Sequence, residues 1–196
     1  MASGKKKVGV LALQGDFEAH TRALERAGAE AVEIRTAEQL KDIDGLVIPG
    51  GESTTMLKLL DYMNLKEPLR EFAAKKPVFG TCAGAILLAK EVLRPAQESF
   101  GLMDLTVERN AYGRQIDSRV VHLSPDAEFA ERAGEGDMEA VFIRAPIIRR
   151  TGPEVNVLAK YEGDPVLVEQ GRHLVATFHP ELTQDPRVHK LFLSKL

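Results

Sequence analysis

Three short apolar runs in this chain each stop at a glycine-containing turn and hand over to a helical pattern. Val8 to Leu13 ends at Gln14-Gly15-Asp16, Gly45 to Ile48 at Pro49-Gly50-Gly51, and Pro77 to Phe79 at Gly80. Unbroken apolar runs suit strands buried on both faces of a parallel sheet, where half-buried strands would alternate. After the first run, Phe17, Ala23, Leu24 and Ala27 share one helical face, and Gly28 is a stop signal. Ala31 to Ile34 reads as a second strand, and Thr36 as the cap of a short helix through Leu40. Helices are expected from Met56 to Tyr62, from Pro68 to Ala74 and through Leu88, with a last one from Pro186 to Leu193. The second half is richer in strand composition: Leu105 to Arg109, Arg119 to Leu123, Ala140 to Arg144, Val155 to Tyr161, Val166 to Glu169 and Leu174 to Phe178. The expectation is one α/β domain over residues 1–196. Its core is a three-layer, flavodoxin-like, mostly parallel sheet with helices on both faces and an antiparallel strand excursion.

Composition agrees with a packed core and narrows the function. The chain has 196 residues and is 44% hydrophobic. At this length roughly 70% of the unfolded surface can be buried, so no disulfide or metal staple is needed. Lys plus Arg number 26 against 29 Asp plus Glu, a net charge of -3. That balance is unlike the basic patch of a nucleic-acid module. No apolar run approaches about 18 residues, so no membrane span is expected. The basic start, Lys5-Lys6-Lys7, leads into an apolar run too short for a signal peptide. The single cysteine excludes an internal disulfide and every multi-cysteine zinc pattern, and a reducing cytoplasm is the simplest expectation. No metal site and no dinucleotide or P-loop glycine pattern is found.

In open α/β sheets, ligands bind at the carboxyl ends of the strands. Four turns at such ends carry most of the reactive side chains: Gln14-Gly15, Gly50 to Ser53, Gly80 to Gly84, and His179 to Glu181. Gly80-Thr81-Cys82-Ala83-Gly84 has the form of a nucleophile elbow with Cys in place of Ser. A sharp strand-to-helix turn would lift the sulfur above the sheet and set it at a helix N-terminus, where thiolate is favoured. The Ala83 N–H would face a developing oxyanion. On residues alone the alternative stays open: a lone cysteine also serves as a small buried hydrophobe.

A thiol nucleophile needs a base. Of five histidines, His20 and His189 fall in amphipathic helical patterns and are expected in solvent; His122 lies in a strand and His173 after a turn. His179 directly follows an apolar strand, and Glu181 is two residues on. In extended chain, positions two apart face the same way, so Glu181 can reach the far imidazole nitrogen. Pro49 to Thr54 opens a helix, and its glycines can expose N–H groups to an oxyanion. The plainer reading is a helix cap by Ser53 or Thr54.

Taken together, six segments resemble the triad glutamine amidotransferases and, more narrowly, the glutaminase subunits of pyridoxal 5′-phosphate synthase. They are Val10-Leu-Ala-Leu-Gln-Gly15, Pro49-Gly-Gly-Glu-Ser-Thr-Thr55, the cysteine elbow, Glu108-Arg-Asn-Ala-Tyr-Gly-Arg-Gln115, Val141-Phe-Ile-Arg-Ala-Pro146 and Thr177-Phe-His-Pro-Glu-Leu182. The resemblance spans nearly the full chain. It implies hydrolysis of L-glutamine to L-glutamate and ammonia through a Cys82–His179–Glu181 triad and a thioester, with ammonia passed to a synthase subunit that makes pyridoxal 5′-phosphate. Glutamine contacts are implied at Gly50, Gly51, Glu52, Ser53, Arg109, Ile143 and Arg144. Oxyanion or partner-coupled roles are implied at Ala83 and Gln14. No cofactor is implied for this subunit.

Overall fold

The computed structural model describes residues 4–111 and 118–196. Tyr112, Gly113, Arg114 and Gln115 of the fourth matching segment lie outside the described residues.

The chain begins with strand β1 (Lys7–Leu11), helix α1 (Phe17–Arg26), β2 (Glu30–Ile34) and, after a short 3-10 turn (Glu38–Asp42), β3 (Gly45–Ile48). Thr36 caps nothing there. The Gln39 side chain instead folds back to accept the Arg35 and Thr36 N–H groups. Two helices follow, α2 (Ser53–Tyr62) and α3 (Lys66–Ala73), then β4 (Val78–Thr81) and α4 (Ala83–Leu88). The middle of the chain supplies β5 (Ala89–Leu93), β6 (Met103–Glu108), β7 (Ser118–Leu123), α5 (Ala127–Ala133), β8 (Met138–Ile143) and β9 (Ile147–Thr151). The last part is β10 (Asn156–Tyr161), β11 (Asp164–Gln170), β12 (His173–Ala176), a 3-10 turn (Pro180–Leu182) and α6 (Arg187–Leu193). The strands β5 and β9 were not anticipated. The first is only five residues, directly abutting α4, and the second carries Arg149 and Arg150 on exposed positions. Neither offers the apolar or alternating signature that marks a strand.

The main sheet has seven strands in the order β10-β11-β12-β4-β3-β1-β2. From β12 to β2 every pairing is parallel, and the series β2-β1-β3-β4-β12 is the flavodoxin-type order. The strands β11 and β10 extend one edge antiparallel. A three-stranded sheet (β5-β6-β9) and a β7–β8 pair form the rest of the excursion.

Alternation within the central strands divides the core between two faces. In β3, Leu46 and Ile48 point into a cluster with Met56 and Leu60 of α2, Leu69 and Phe72 of α3, and Leu105 and Val107 of β6. Val47 points the other way, into Leu24 of α1, Phe129 of α5, Phe142 of β8 and Leu191 and Phe192 of α6. Strands covered on both sides need apolar residues at every position, which is why the runs in β1 and β3 are unbroken. Because β1, β3, β4 and β12 run parallel, the turns after all four emerge at one edge. That edge collects the chemistry.

Candidate active site

Cys82 stands between the last residue of β4 and the first of α4 with φ 49° and ψ -104°. A non-glycine residue with positive φ is strained, and such strain is characteristic of functional turns. The turn is fastened by the Cys82 N–H, which donates to the Ala176 carbonyl of β12 at 3.0 Å. Its glycine is dictated by close approach: a Cβ at Gly84 would lie 2.1 Å from the Ile48 carbonyl oxygen. Helix α4 is therefore pressed against the end of β3 to a distance no side chain allows. The sulfur reaches a cleft of about 390 Å³, lined also by Gln14, the Gly50–Ser53 turn, Ala83, Arg109, Ile143, Arg144 and His179. Cys82 Sγ lies 4.0 Å from the Ile143 carbonyl oxygen. As the first residue of α4, Ala83 has an N–H with no intrahelical acceptor.

His179 hangs just past β12, its N–H donating to the Val141 carbonyl of β8 at 2.8 Å. Its Nδ1 is 2.7 Å from Glu181 Oε1. The route differs from expectation. Residues 180–182 form a 3-10 turn, so the pair is brought together by a curl of the chain and not by extended alternation. Pro180 at the start of that turn fixes φ where no N–H is required. Burial alone would lower the His179 pKa. Hydrogen bonds to Cys82 and Glu181, and the negative charges of both, outweigh it and raise the value to about 10. The imidazole thus has Glu181 on one nitrogen and the cysteine on the other side, and its protonated form is stabilised by both. Glu181 is 4% exposed. Desolvation raises its pKa, but His20 and His179 more than reverse this and hold it lowered.

The turn after β3 crosses directly over this pair. A Cβ on Gly50 would sit 2.6 Å from His179 Cε1 and 3.3 Å from the Cys82 Cβ. Its partner loop holds it there: the Gln14 side-chain carbonyl accepts the Glu52 N–H at 3.0 Å. Glu52, not Ser53 or Thr54, caps α2. Its carboxylate accepts the Thr54 N–H at 3.1 Å and the Thr55 N–H and hydroxyl, each at 2.7 Å. Burial is the largest single influence and opposes its ionisation, but those hydrogen bonds together outweigh it and lower its pKa. Ser53 is buried, with its hydroxyl donating to Gln97 Oε1 at 3.1 Å. Arg109, beyond β6, reaches back so that Nη2 donates to Thr54 Oγ1 at 3.1 Å and lies 3.4 Å from Glu52 Oε1. Arg144 has φ 45°, a second strained residue on the rim.

All residues anticipated for the site therefore meet at one cleft, with Glu181 directly behind it. Two histidines were misjudged. His20 and His189 are 0% exposed, not solvated. The amphipathic pattern places them on the inner stripe of α1 and α6, and imidazole is compatible with either side. His173 is buried and structural: its Nδ1 accepts the Val78 N–H at 3.2 Å, joining β12 to β4. His122 is exposed. Asn110, Pro146 and Leu182 also line the cleft and were not singled out, although each sits inside a matching segment. Gln97 carried no signal, since it lies in an irregular stretch before β6. Among the described residues, no group of three or more His, Cys, Asp or Glu is arranged to hold a metal ion. No helix there is long and apolar enough to cross a membrane.

Comparison with known proteins shows the family. A model of the SNO glutamine amidotransferase family matches residues 10–196. The "Pyridoxal 5'-phosphate synthase subunit PdxT" of Solibacter usitatus is 68% identical over 191 residues, covering 97% of this chain and 100% of that one. The protein of the same name from Koribacter versatilis is 59% identical over 187 residues, covering 95% and 94%. A solved structure titled "Crystal structure of glutamine amidotransferase" superposes with a TM-score of 0.86 at 48% identity, covering 96% of this chain and 97% of that chain.

Proposed function

The chain belongs to the SNO glutamine amidotransferase family and is a glutaminase of vitamin B6 biosynthesis, and on that premise we propose that Cys82, His179 and Glu181 carry the hydrolysis of L-glutamine. The Cys82 thiolate attacks the side-chain amide carbon. Charge gathers on the former carbonyl oxygen, which the Ala83 N–H and an N–H of the Gly50–Gly51 turn stabilise. His179 protonates the departing ammonia, leaving a glutamyl thioester on Cys82. The imidazole then takes a proton from water, hydroxide attacks the thioester, and glutamate leaves as the thiol is restored. Glu181 holds the ring in the tautomer and orientation both steps require.

The observation that supports this most is the placement of one imidazole between a carboxylate at 2.7 Å and the sulfur. The charged end of glutamine carries an ammonium and a carboxylate, so its contacts are assigned to Glu52 and Ser53 and to Arg109 and the Ile143–Arg144 segment. Gln14, which braces the turn after β3, is assigned a role in oxyanion formation or in contact with a partner. The relatives are named as synthase subunits. We accordingly assign this chain, as a single glutamine amidotransferase domain, to a complex in the cytoplasm. There ammonia passes directly to a pyridoxal 5′-phosphate synthase subunit instead of escaping into solvent. Glutamate release by this chain with and without that subunit tests the reading, and release that is independent of glutamine's amide would overturn it.

A further inference from the structure

Behind Glu181, on the side away from His179, lies a chain of buried imidazoles that the hydrolysis as described does not use. His20 Nε2 is 3.3 Å from Glu181 Oε2 and 2.9 Å from the hydroxyl of Thr81, the residue before the nucleophile. His20 Nδ1 is 3.1 Å from His189 Nε2. Both rings are wholly buried. Glu181 Oε2 and His189 Nδ1 are buried and accept or donate no aligned hydrogen bond.

We propose that His20 is a positioning residue for glutamine hydrolysis, a neutral imidazole whose Nε2–H faces Glu181 and keeps that carboxylate ionised and aimed at His179. The inference rests on Glu181 belonging to the catalytic triad.

The distances select one arrangement of protons. If His20 carried its proton on Nδ1, it would donate to His189 Nε2. The His189 proton would then sit on Nδ1, which has no partner. The Thr81 hydroxyl could then donate to His20 Nε2, but that ring edge would still turn its lone pair toward Glu181 Oε2 at 3.3 Å. A buried N–H without an acceptor and two opposed lone pairs are both costly. With the proton on His20 Nε2, every buried N–H of the chain has somewhere to go. His189 Nε2–H donates to His20 Nδ1, and His20 Nε2–H lies against Thr81 Oγ1 and Glu181 Oε2. What stays unsatisfied is then acceptor capacity alone, on His189 Nδ1 and Glu181 Oε2, the cheaper defect. All dipoles point toward Glu181.

The rings act as dipoles and not as cations. Burial lowers the pKa of His20 more than the facing charge of Glu181 raises it, and His179 adds to the lowering while Asp16, the cap of its own helix, opposes it. His189 is lowered to about 3 by burial first and then by His20, with Glu181 opposing and Arg26 assisting. What Glu181 receives is therefore the positive end of an imidazole dipole at 3.3 Å, in place of the water that burial removed.

The test uses the chain in complex with its synthase partner. His20→Leu removes the N–H and keeps apolar bulk; His20→Gln keeps an N–H donor. In the Leu variant, kcat for glutamate release is expected to fall by about fivefold or more with KM for glutamine within about twofold, the scale of one lost buried hydrogen bond. The acid limb of its pH profile moves to higher pH, because an unsupported buried carboxylate protonates earlier. The Gln variant recovers at least half of the lost activity. A folded Leu variant with a smaller loss, an unmoved acid limb, or a Gln variant no better than Leu overturns the proposal. Should either variant fail to fold, 15N spectra of the histidine-labelled native complex decide. His20 as neutral Nε2–H at about neutral pH supports it, and Nδ1–H or imidazolium overturns it. Full activity of Cys82→Ala would instead overturn the triad beneath it, whatever His20 does.

Discussion

His179 Nδ1 and Glu181 Oε1 sit 2.7 Å apart across a single 3-10 turn, with both side chains buried. The shortness of the turn matters: the base and the group that orients it move as one body.

Glu181→Gln keeps the shape and removes the charge. An amide can hold the ring by its oxygen but cannot stabilise an imidazolium. Glutamate release is expected to fall by about 100-fold or more, within the range that a positioned acid–base group contributes. Steady-state assays of the complex check it, and a loss under about twofold would contradict the role given to Glu181.

The pH dependence follows from His179. Its folded pKa, about 10, lies above the ordinary 6.5. A raised value means that the imidazolium persists through neutrality and is lost only as pH climbs toward about 10. The alkaline limb of kcat/KM for the complex should fall in that region. The associated stability is complete below 6.5 and declines across the same window. An alkaline limb near 6.5 would contradict the geometry.

The opposite sign holds for two structural histidines. Burial lowers His189 to about 3; burial together with the Arg172 and Lys195 charges lowers His173 to about 4. Depressed values mean that the neutral rings stabilise the fold above 6.5, and that this contribution drains away as pH falls toward 4 and then 3. Denaturant midpoints should drop steadily through this acid range. In His173→Asn the drop should be shallower, and an identical slope would contradict the assignment.

Much of this architecture was legible because the parallel strands announce themselves. Gly45–Ile48 is buried on both faces and has no polar residue to confuse its reading. The same holds for the turns: Gly80-Thr81-Cys82-Ala83-Gly84 needs its glycines for contacts that local chemistry makes recognisable. The Cys82, His179 and Glu181 cluster was legible for a further reason, since parallel strands deliver their carboxyl ends to one edge. What stayed hidden depends on long-range packing. His20 and Thr81 are 61 residues apart, and His20 and His189 are 169 apart. No local pattern distinguishes a histidine that will meet another histidine from one that will meet water. Likewise Ser53 or Thr54 was the expected cap of α2, whereas the Glu52 carboxylate takes that place.

Two glycine substitutions separate fold from chemistry. Gly84→Ala drives a Cβ to 2.1 Å from the Ile48 carbonyl oxygen, which is rigid backbone. It should destabilise by about 3 kcal/mol or more and lower Tm by about 6–12 °C. Gly50→Ala meets the imidazole of His179 at 2.6 Å. There the ring can be displaced, so activity should fall by about tenfold or more while Tm changes little. Thermal melts and glutaminase assays on both variants check the pair; equal effects on both readouts would contradict the division.

The central claim is that one sulfur opens the carboxamide of glutamine. The direct measurement is glutamate release from glutamine by the complex, before and after alkylation of Cys82, the chain's one cysteine, alongside Cys82→Ala with its ability to bind the synthase monitored. The account predicts that both treatments abolish release while the complex still forms. Sustained release from the alkylated protein or from Cys82→Ala would contradict it.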